Sequence, residues 1–178
     1  MTKWGVLIRG INVGGNNIVP MKDLRKLLGQ CEFSAVRTYI QSGNCFLEAD
    51  DLEPSEIEAR IGSAIEDEFG FRPKVMAFTA SDFASAIALN PFVVRKFDPK
   101  HTHIFFLEKV PARPDLDTMN RQLQPGEAFE LRDRLFFLRA SNGIGRSKIA
   151  ARVDRLLGVA ATARNLNTVQ KIHEMMES

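Results

Sequence analysis

The sequence predicts an α+β fold made of two duplicated ferredoxin-like halves, each a β-α-β-β-α unit with an antiparallel sheet. Short apolar runs alternate with segments whose apolar residues recur every three or four positions, the pattern of strands alternating with amphipathic helices. Two pairs of short strands flank polar turns, as in β-hairpins. The order of elements repeats at about half of the 178-residue length, and an extra helix follows at the carboxyl end.

The first half, predicted to span residues 1–90, has the order β-α-β-β-α-β. Its long helix carries Ile57, Ile61 and Ile65 at four-residue spacing, which produces one apolar face. Pro54 is suited to the start of this helix and Gly70 to its end. The predicted elements are a strand at 4–8, a helix at 20–29, hairpin strands at 36–40 and 45–47, the helix at 54–70 and a strand at 74–78.

The second half, predicted to span residues 91–178, has the order β-α-β-β-α, although the two halves could also form one compact domain. A capping box at Thr79 and Asp82 predicts a further helix before the second half begins. Residues 91–100 are predicted to link the two halves. The predicted elements are a strand at 102–107, a helix from Pro114, hairpin strands at 128–131 and 135–138, a helix from about Lys148 to Gly158, and a last helix through Val169 and Ile172.

Composition indicates a soluble globular protein, with 44% hydrophobic and 26% charged residues. The apolar runs are too short to span a bilayer, the amino terminus does not resemble a signal peptide, and two cysteines fit a reducing compartment, so we expect a cytoplasmic protein without a membrane partner. Residues 1–90 carry nine Lys and Arg against twelve Asp and Glu, whereas residues 91–178 carry fifteen against ten. The basic second half fits an anionic ligand or, equally, a solvated surface.

The clearest chemical signal is the turn Asn142-Gly143-Ile144-Gly145-Arg146-Ser147-Lys148. Its glycines permit a tight turn between a predicted strand and a predicted helix. Arg146 can bind an oxyanion with two parallel hydrogen bonds, Ser147 offers a hydroxyl group and Lys148 a point charge. The turn therefore predicts an anion site, although it departs from the Walker pattern, and the alternative is a plain turn with solvated cations.

A second glycine-rich turn, residues 9–17, follows the first strand. Arg9 and Asn12 supply polar groups there, but the glycine spacing differs from that of the dinucleotide-binding fingerprint. The hairpin turn that contains Gln41, Ser42 and Asn44 could bring further polar groups to the same edge of the sheet, or could hydrogen-bond only within itself. We expect both glycine-rich turns to serve one polar cleft.

The segment before the last helix adds Arg164 as a second group for an anion and Asn165 as a further polar group. Asn165 or Asn167 is also a suitable residue to cap that helix. On the preceding helix, Lys148, Arg152 and Arg155 share a face, which is either solvated or part of a basic track for nucleic acid. The sequence predicts no metal site, because its histidines lack a neighbouring cysteine or carboxylate cluster.

Four stretches together resemble the DUF1697 family, a group of bacterial proteins of unknown function. They are residues 7–15 (Leu-Ile-Arg-Gly-Ile-Asn-Val-Gly-Gly), 38–44 (Thr-Tyr-Ile-Gln-Ser-Gly-Asn), 142–148 and 164–169 (Arg-Asn-Leu-Asn-Thr-Val). Leu166 stands where that family tends to have Trp, which argues against an aromatic stacking role at this position. The resemblance implies an α+β fold with duplicated ferredoxin-like halves, and it implies no activity.

The leading hypothesis is a protein that binds a phosphate-bearing ligand, either a phosphorylated small molecule such as a nucleotide or the end of a nucleic acid. One alternative is a phosphoester hydrolase or transferase that uses the same pocket, and another is a non-catalytic protein-interaction module. The candidate ligand-binding residues are Arg9, Asn12, Gln41, Ser42, Asn44, Asn142, Arg146, Ser147, Lys148, Arg164 and Asn165.

Overall fold

The computed structural model describes residues 1–95 and 97–178. They form two compact units: the first comprises Met1–Ala84 with Lys171–Ser178, and the second comprises Ser85–Gln170. Lys96, within the predicted link at 91–100, lies outside the described residues. The predicted domain limits, residues 1–90 and 91–178, stay a prediction.

The described residues form eight strands and seven α-helices. In chain order these are β1 (Thr2–Ile8), α1 (Met21–Gln30), β2 (Ser34–Tyr39), β3 (Asn44–Ala49), α2 (Pro54–Phe69), β4 (Val75–Thr79), α3 (Ala80–Ala88), α4 (Pro91–Val94), β5 (Thr102–Leu107), α5 (Leu116–Gln122), β6 (Glu127–Arg132), β7 (Leu135–Ala140), α6 (Val153–Leu157), β8 (Ala161–Asn165) and α7 (Leu166–Glu177). Short 3₁₀ turns lie at Pro99–His101, Ile144–Arg146 and Ala150–Arg152.

The first unit contains a four-stranded antiparallel sheet in the order β2-β3-β1-β4. Where β1 ends, the Ile8 N–H donates to the Gly43 carbonyl oxygen over 2.8 Å, and the Arg9 N–H donates to the Lys74 carbonyl oxygen over 2.9 Å. These two bonds continue the pairing of β1 with its neighbours beyond the regular strands. They bring the loop after β1 beside the β2–β3 hairpin turn.

The second unit repeats this arrangement in an antiparallel sheet with the order β6-β7-β5-β8. Where β5 ends, the Leu107 N–H donates to the Arg134 carbonyl oxygen and the Glu108 N–H donates to the Ala160 carbonyl oxygen, both over 2.9 Å. The same pair of bonds thus closes the corresponding end of each sheet. The predicted α+β class with antiparallel sheets is confirmed, and the two sheets support a duplication.

Each sheet buries one face under its own helices. The first core packs alternate residues of β1, β3 and β4 against Leu24 and Leu28 of α1 and Ile57, Ile61 and Ile65 of α2. The second core packs β5, β7 and β8 against Met119 of α5 and the segment 149–157. The apolar periodicity of the helices accounts for both layers, because it places one stripe of each helix on the sheet.

The second half differs from the sequence prediction in three elements. Pro91–Val94, inside the predicted link, is the short helix α4. Ala161–Asn165, for which no element was predicted, is strand β8, paired with β5 over five residues. Its sequence, Ala-Thr-Ala-Arg-Asn, has no large apolar residue, so its strand character comes from pairing rather than from local pattern. The α-helix predicted from about Lys148 begins at Val153, and 3₁₀ turns precede it.

Candidate functional site

In the first unit, the loop after β1 and the β2–β3 hairpin turn are joined through Asn12. Its Nδ2 donates to the Val19 and Gln41 carbonyl oxygens, each over 2.9 Å, and its Oδ1 accepts from the Val19 N–H over 2.8 Å. Asn12 has a φ of 55°, a left-handed conformation that asparagine tolerates better than most residues. These bonds occupy the amide group that the sequence analysis offered to a ligand, and they organise the loop.

The hairpin turn is itself closely packed against the loop. The Asn44 side chain is fully buried and donates to the Ser42 Oγ over 2.9 Å and to the Tyr39 carbonyl oxygen over 3.2 Å. Gly43 has a φ of 75°, and a Cβ atom there would lie 2.4 Å from the Ile8 carbonyl oxygen. The turn therefore needs glycine at this position, both for its backbone conformation and for the close approach of β1.

Among the polar residues predicted for the first unit, Arg9 and Gln41 have exposed side chains, and Ser42 is half-buried. The half-buried Lys74 lies beside Arg9, because its carbonyl oxygen accepts a hydrogen bond from the Arg9 N–H. Sequence reasoning did not select Lys74. The signal was available, since in an antiparallel sheet the residue before β4 lies beside the residue after β1.

In the second unit, the Asn142–Lys148 turn is held by its own backbone. The Gly143 N–H donates to the Ala140 carbonyl oxygen over 2.9 Å, the Arg146 N–H to that of Gly143 over 3.2 Å, and the Ser147 N–H to that of Ile144 over 3.1 Å. These N–H groups are therefore not directed at a ligand. The exposed side chains of Asn142, Arg146 and Lys148 are the polar side chains that this turn presents to solvent.

Two of those side chains are available and one is not. Arg146 and Lys148 are exposed, and neither side chain has a hydrogen-bond or ion-pair partner among the described residues. Ser147 is 3% exposed, and its Oγ accepts from the Ala150 N–H over 3.2 Å, so it stabilises the start of the second 3₁₀ turn. Asn142, which precedes Gly143, is exposed.

The segment that contains Arg164 and Asn165 lies at the same end of the second sheet as this turn. Thr102, at the amino end of β5, pairs with Arg139 of β7, and His103 pairs with Asn165 of β8. The carboxyl ends of β7 and β8 therefore flank the start of β5, about 10 Å apart at two strand spacings. This register therefore places the residues that follow β7 at the same end of the second sheet as Arg164 and Asn165.

Arg164 and Asn165 already have internal partners in this position. The Arg164 Nη1 donates to the Thr162 Oγ1 over 3.0 Å and to the Ala163 carbonyl oxygen over 2.8 Å. The Asn165 Oδ1 accepts from the Thr168 N–H over 2.9 Å, which confirms the predicted cap of the last helix. Of the candidate cations in this unit, Arg146 and Lys148 have no side-chain partner among the described residues, and the exposed Asn142 has none there either.

His103 lies at this end of the second sheet, beneath the surface. It is 8% exposed, and its Nδ1 has no hydrogen-bond partner in the described part of the chain. Burial lowers the pKa of His103 and the charge of His101 lowers it further, whereas a hydrogen bond to the backbone of His101 raises it. The imidazole is therefore kept neutral near pH 7.

Residues 1–95 and 97–178 contain neither a metal-binding cluster nor a membrane-spanning helix. No group of three or more His, Cys, Asp or Glu side chains gathers there in a way that could hold a metal ion. No helix in that part of the chain combines the length and apolar character needed to cross a bilayer. The expectation that both glycine-rich turns serve one cleft stays a prediction.

Comparison with known proteins adds a family and a fold. A family model described as "Protein of unknown function (DUF1697)" matches residues 1–137, which include the loop after β1 and the β2–β3 turn but not the Asn142–Lys148 turn. The structure of conserved bacterial protein SP0830 from Streptococcus pneumoniae superposes with a TM-score of 0.73 at 22% identity, over 98% of each chain. No curated protein matches the chain. At this identity the structural likeness supports the fold alone.

Proposed function

Because the chain belongs to the DUF1697 family, whose function is unknown, we propose a function from the site itself: the Asn142–Lys148 turn binds the phosphate of a phosphate-bearing ligand. The observation that carries the proposal is that Arg146 and Lys148 are exposed without a described partner, on a turn fixed by three backbone hydrogen bonds. A fixed turn holds both cations at a defined spacing before the ligand arrives, which lowers the entropic cost of binding.

The surrounding charges favour an anion. Lys100, at the start of β5, and Arg139, at the end of β7, lie at the same end of the sheet as Arg164. The Asp98 carboxylate accepts from the Lys100 N–H and lies 3.8 Å from its ammonium group, and the Glu127 carboxylate, opposite Ala140 at the end of β7, accepts from the Gln124 N–H. Cations therefore outnumber carboxylates here, and a phosphate dianion can be held by charge-assisted bonds worth roughly 1.5–3 kcal/mol each.

Binding of inorganic phosphate and of nucleoside mono- and triphosphates, measured by calorimetry or thermal shift, tests the proposal. We expect Arg146→Ala to weaken binding by roughly tenfold or more, since one charge-assisted bond is lost. Lys148→Ala acts in the same direction but more weakly, because lysine lacks the bidentate geometry of arginine. Lys26→Ala, which removes an exposed cation from α1, is the matched control. Equal binding by Arg146→Ala and Lys26→Ala would exclude the site.

A second function, as a protein-interaction module, is favoured by one observation in the first unit. Three of its exposed aliphatic residues, Val13, Ile18 and Ile40, each adjoin a residue of the Asn12 hydrogen-bond network. Ile40 also has a φ of 50°, an unusual conformation for a β-branched residue. Apolar residues gathered beside polar loops are typical of protein-contact surfaces. A Val13→Ser, Ile40→Ser double variant that still captures the same partners from bacterial lysate would argue against this role.

The finer points of fold and location belong to the same proposal. We infer that both units are ferredoxin-like, supported by the order β-α-β-β-α-β in each and by the matching strand orders β2-β3-β1-β4 and β6-β7-β5-β8. We also propose that this is a cytoplasmic bacterial protein, supported by two free cysteines, Cys31 and Cys45, which fit a reducing compartment. Phosphoester hydrolysis or transfer at the same turn stays a prediction, tested by release of phosphate from a bound nucleotide.

A further inference from the structure

The second unit carries a line of cations that continues away from the phosphate-binding turn. Lys148, Arg152 and Arg155 are exposed at spacings of four and three residues, opposite the buried Ile149 and Val153. These three residues lie on the segment that contains the second 3₁₀ turn and α6. This segment connects the carboxyl end of β7 to the start of β8, and so runs back along the sheet. We call Arg146, Lys148, Arg152, Arg155 and Arg113 the basic track.

Arg113 extends the track at its far end. It lies two residues before Asp115, whose N–H donates to the Leu156 carbonyl oxygen over 2.7 Å, so the loop before α5 lies against the carboxyl end of α6, where Arg155 directly precedes Leu156. The track therefore runs from one end of the second sheet toward the other. Strands of six residues span about 20 Å, and this sets its approximate length.

The cations of the track are not neutralised by their surroundings. Among the described residues, none of the five has a side-chain ion pair or hydrogen bond. The acids nearby are committed to backbone groups: the Asp154 Oδ1 accepts from the Ala161 N–H over 3.2 Å, and the Asp115 Oδ1 accepts from the Thr118 N–H over 3.0 Å. Asp117, in the first turn of α5, is also exposed.

We propose, on the basis of the phosphate site above, that the ligand of this site is a nucleic-acid strand, with a terminal phosphate at Arg146 and Lys148 and its backbone along Arg152, Arg155 and Arg113. One strand of B-form DNA carries about six phosphates over 20 Å, so the five cations of the track could neutralise most of the charges they would meet. A small phosphorylated metabolite would leave the far half of the track without a partner.

The composition of the track favours a nucleic acid over a membrane. Four of its five residues are arginine, the cation suited to bidentate phosphate contacts. Surface helices that bind lipid place several large apolar side chains beside their cations, whereas the described residues between 141 and 158 include no exposed large hydrophobic residue, and Val110, three positions before Arg113, is a single one. A linear polyanion fits this surface better than an anionic bilayer, for which one valine is a weak anchor.

The test is fluorescence anisotropy on the full chain with oligonucleotides of about 12 nucleotides, twice the length of the track, in single-stranded and duplex form, each with and without a 5′ or 3′ phosphate. With duplex DNA, we expect the logarithm of the binding constant to fall against the logarithm of the salt concentration with a slope of about −4.5, because five phosphates are neutralised.

Arg152→Ala and Arg155→Ala should each weaken binding by roughly threefold to tenfold and reduce the magnitude of this slope by about one unit. Lys26→Ala should leave affinity and slope unchanged, and thermal unfolding checks that each variant is folded.

The outcomes separate this proposal from the phosphate site on which it rests. If mononucleotides bind through Arg146 while oligonucleotides bind no tighter, the track is overturned and the phosphate site stands. If oligonucleotides bind through Arg152 and Arg155 regardless of Arg146 or of the terminal phosphate, the phosphate site is overturned. Binding to phosphatidylserine vesicles through Arg152 and Arg155, without binding to oligonucleotides, would overturn the nucleic-acid assignment in favour of a membrane surface. Equal oligonucleotide binding by Arg152→Ala, Arg155→Ala and Lys26→Ala would likewise overturn it.

Discussion

The side-chain amide of Asn12 donates a hydrogen bond of 2.9 Å to the carbonyl oxygen of Gln41, 29 positions further along the chain. With the two bonds between Asn12 and Val19, it ties the loop after β1 to the start of α1 and to the β2–β3 turn. One side chain therefore determines the shape of the whole polar end of the first sheet.

Replacing Asn12 should destabilise the first unit. Asn12→Gly keeps the left-handed conformation accessible but removes three hydrogen bonds, so we expect a loss of about 1–3 kcal/mol in the free energy of unfolding, measured in urea. Asn17→Gly is the matched control, because Asn17 has a φ of 51° in the same loop but donates a single exposed bond, to the Gly10 carbonyl oxygen. If both variants lose equal stability, Asn12 does not organise the loop.

Replacing Gly43 should lower the free energy of unfolding by more than replacing Asn12, and for a different physical reason. In Gly43→Ala, the new Cβ would lie 2.4 Å from the Ile8 carbonyl oxygen, a backbone atom that cannot move aside cheaply. We expect a loss of several kcal/mol, from the clash together with about 1–2 kcal/mol of backbone strain. Gly15→Ala measures the strain alone, because Gly15 has a φ of 78° and nothing within 4 Å of its added Cβ. Similar unfolding midpoints for the two variants would contradict the close approach.

The contacts of Arg37 predict that the carboxyl terminus contributes to the stability of the first unit. Its guanidinium group lies 4.3 Å from the centre of the Phe46 ring and donates to the Met175 carbonyl oxygen over 2.5 Å and to the Ser178 Oγ over 3.2 Å. A cation at the carboxyl end of a helix is also favoured by the helix dipole. We expect Arg37→Ala to destabilise by about 1–3 kcal/mol in urea unfolding.

Two further variants identify the cause of that loss. Arg37→Lys keeps the charge but loses the paired donors, and should recover only part of the stability. Ser178→Ala in the wild type removes one of the two acceptors of Arg37 and should reproduce part of the Arg37→Ala effect, whereas the same change in Arg37→Ala should add little of its own. Fully additive losses would mean that Arg37 and the terminus act independently.

The fold was predictable where its signals are local. Pro54 begins α2, Gly70 ends it with a φ of 77°, and the capping box forms between Thr79 and Asp82, with the Thr79 N–H and Asp82 Oδ2 2.8 Å apart. These features depend on a few neighbouring residues, so the sequence contains them. Strand β8 was missed because it is made of small and polar residues whose conformation depends on pairing with β5, more than fifty positions earlier.

The candidate site shows the same division between local and distant causes. The sequence identified the turns, and the side chains of Arg146 and Lys148 are exposed without a partner among the described residues, but their role in binding a ligand stays a prediction. The sequence could not distinguish them from Asn12, Asn44 and Ser147, whose polar groups are satisfied internally. Whether a polar side chain faces a ligand or its own chain depends on tertiary contacts, and residue type and spacing do not contain that information.

His103 predicts a dependence of stability on pH. Burial lowers the pKa of its imidazole in the folded state below the ordinary value of 6.5, so the unfolded chain binds the proton more tightly. The free energy of unfolding should therefore rise with pH where His103 titrates. The contribution of His103 should be fully present above about pH 7 and be lost progressively below about pH 6.5.

His103→Gln removes the titrating group, so urea unfolding between about pH 5 and pH 7.5 should show a flatter profile than the wild type. His173→Gln, at a partly exposed position on α7, is the matched control and should retain the wild-type slope. A His103→Gln profile as steep as that of the wild type would mean that other groups cause the pH dependence.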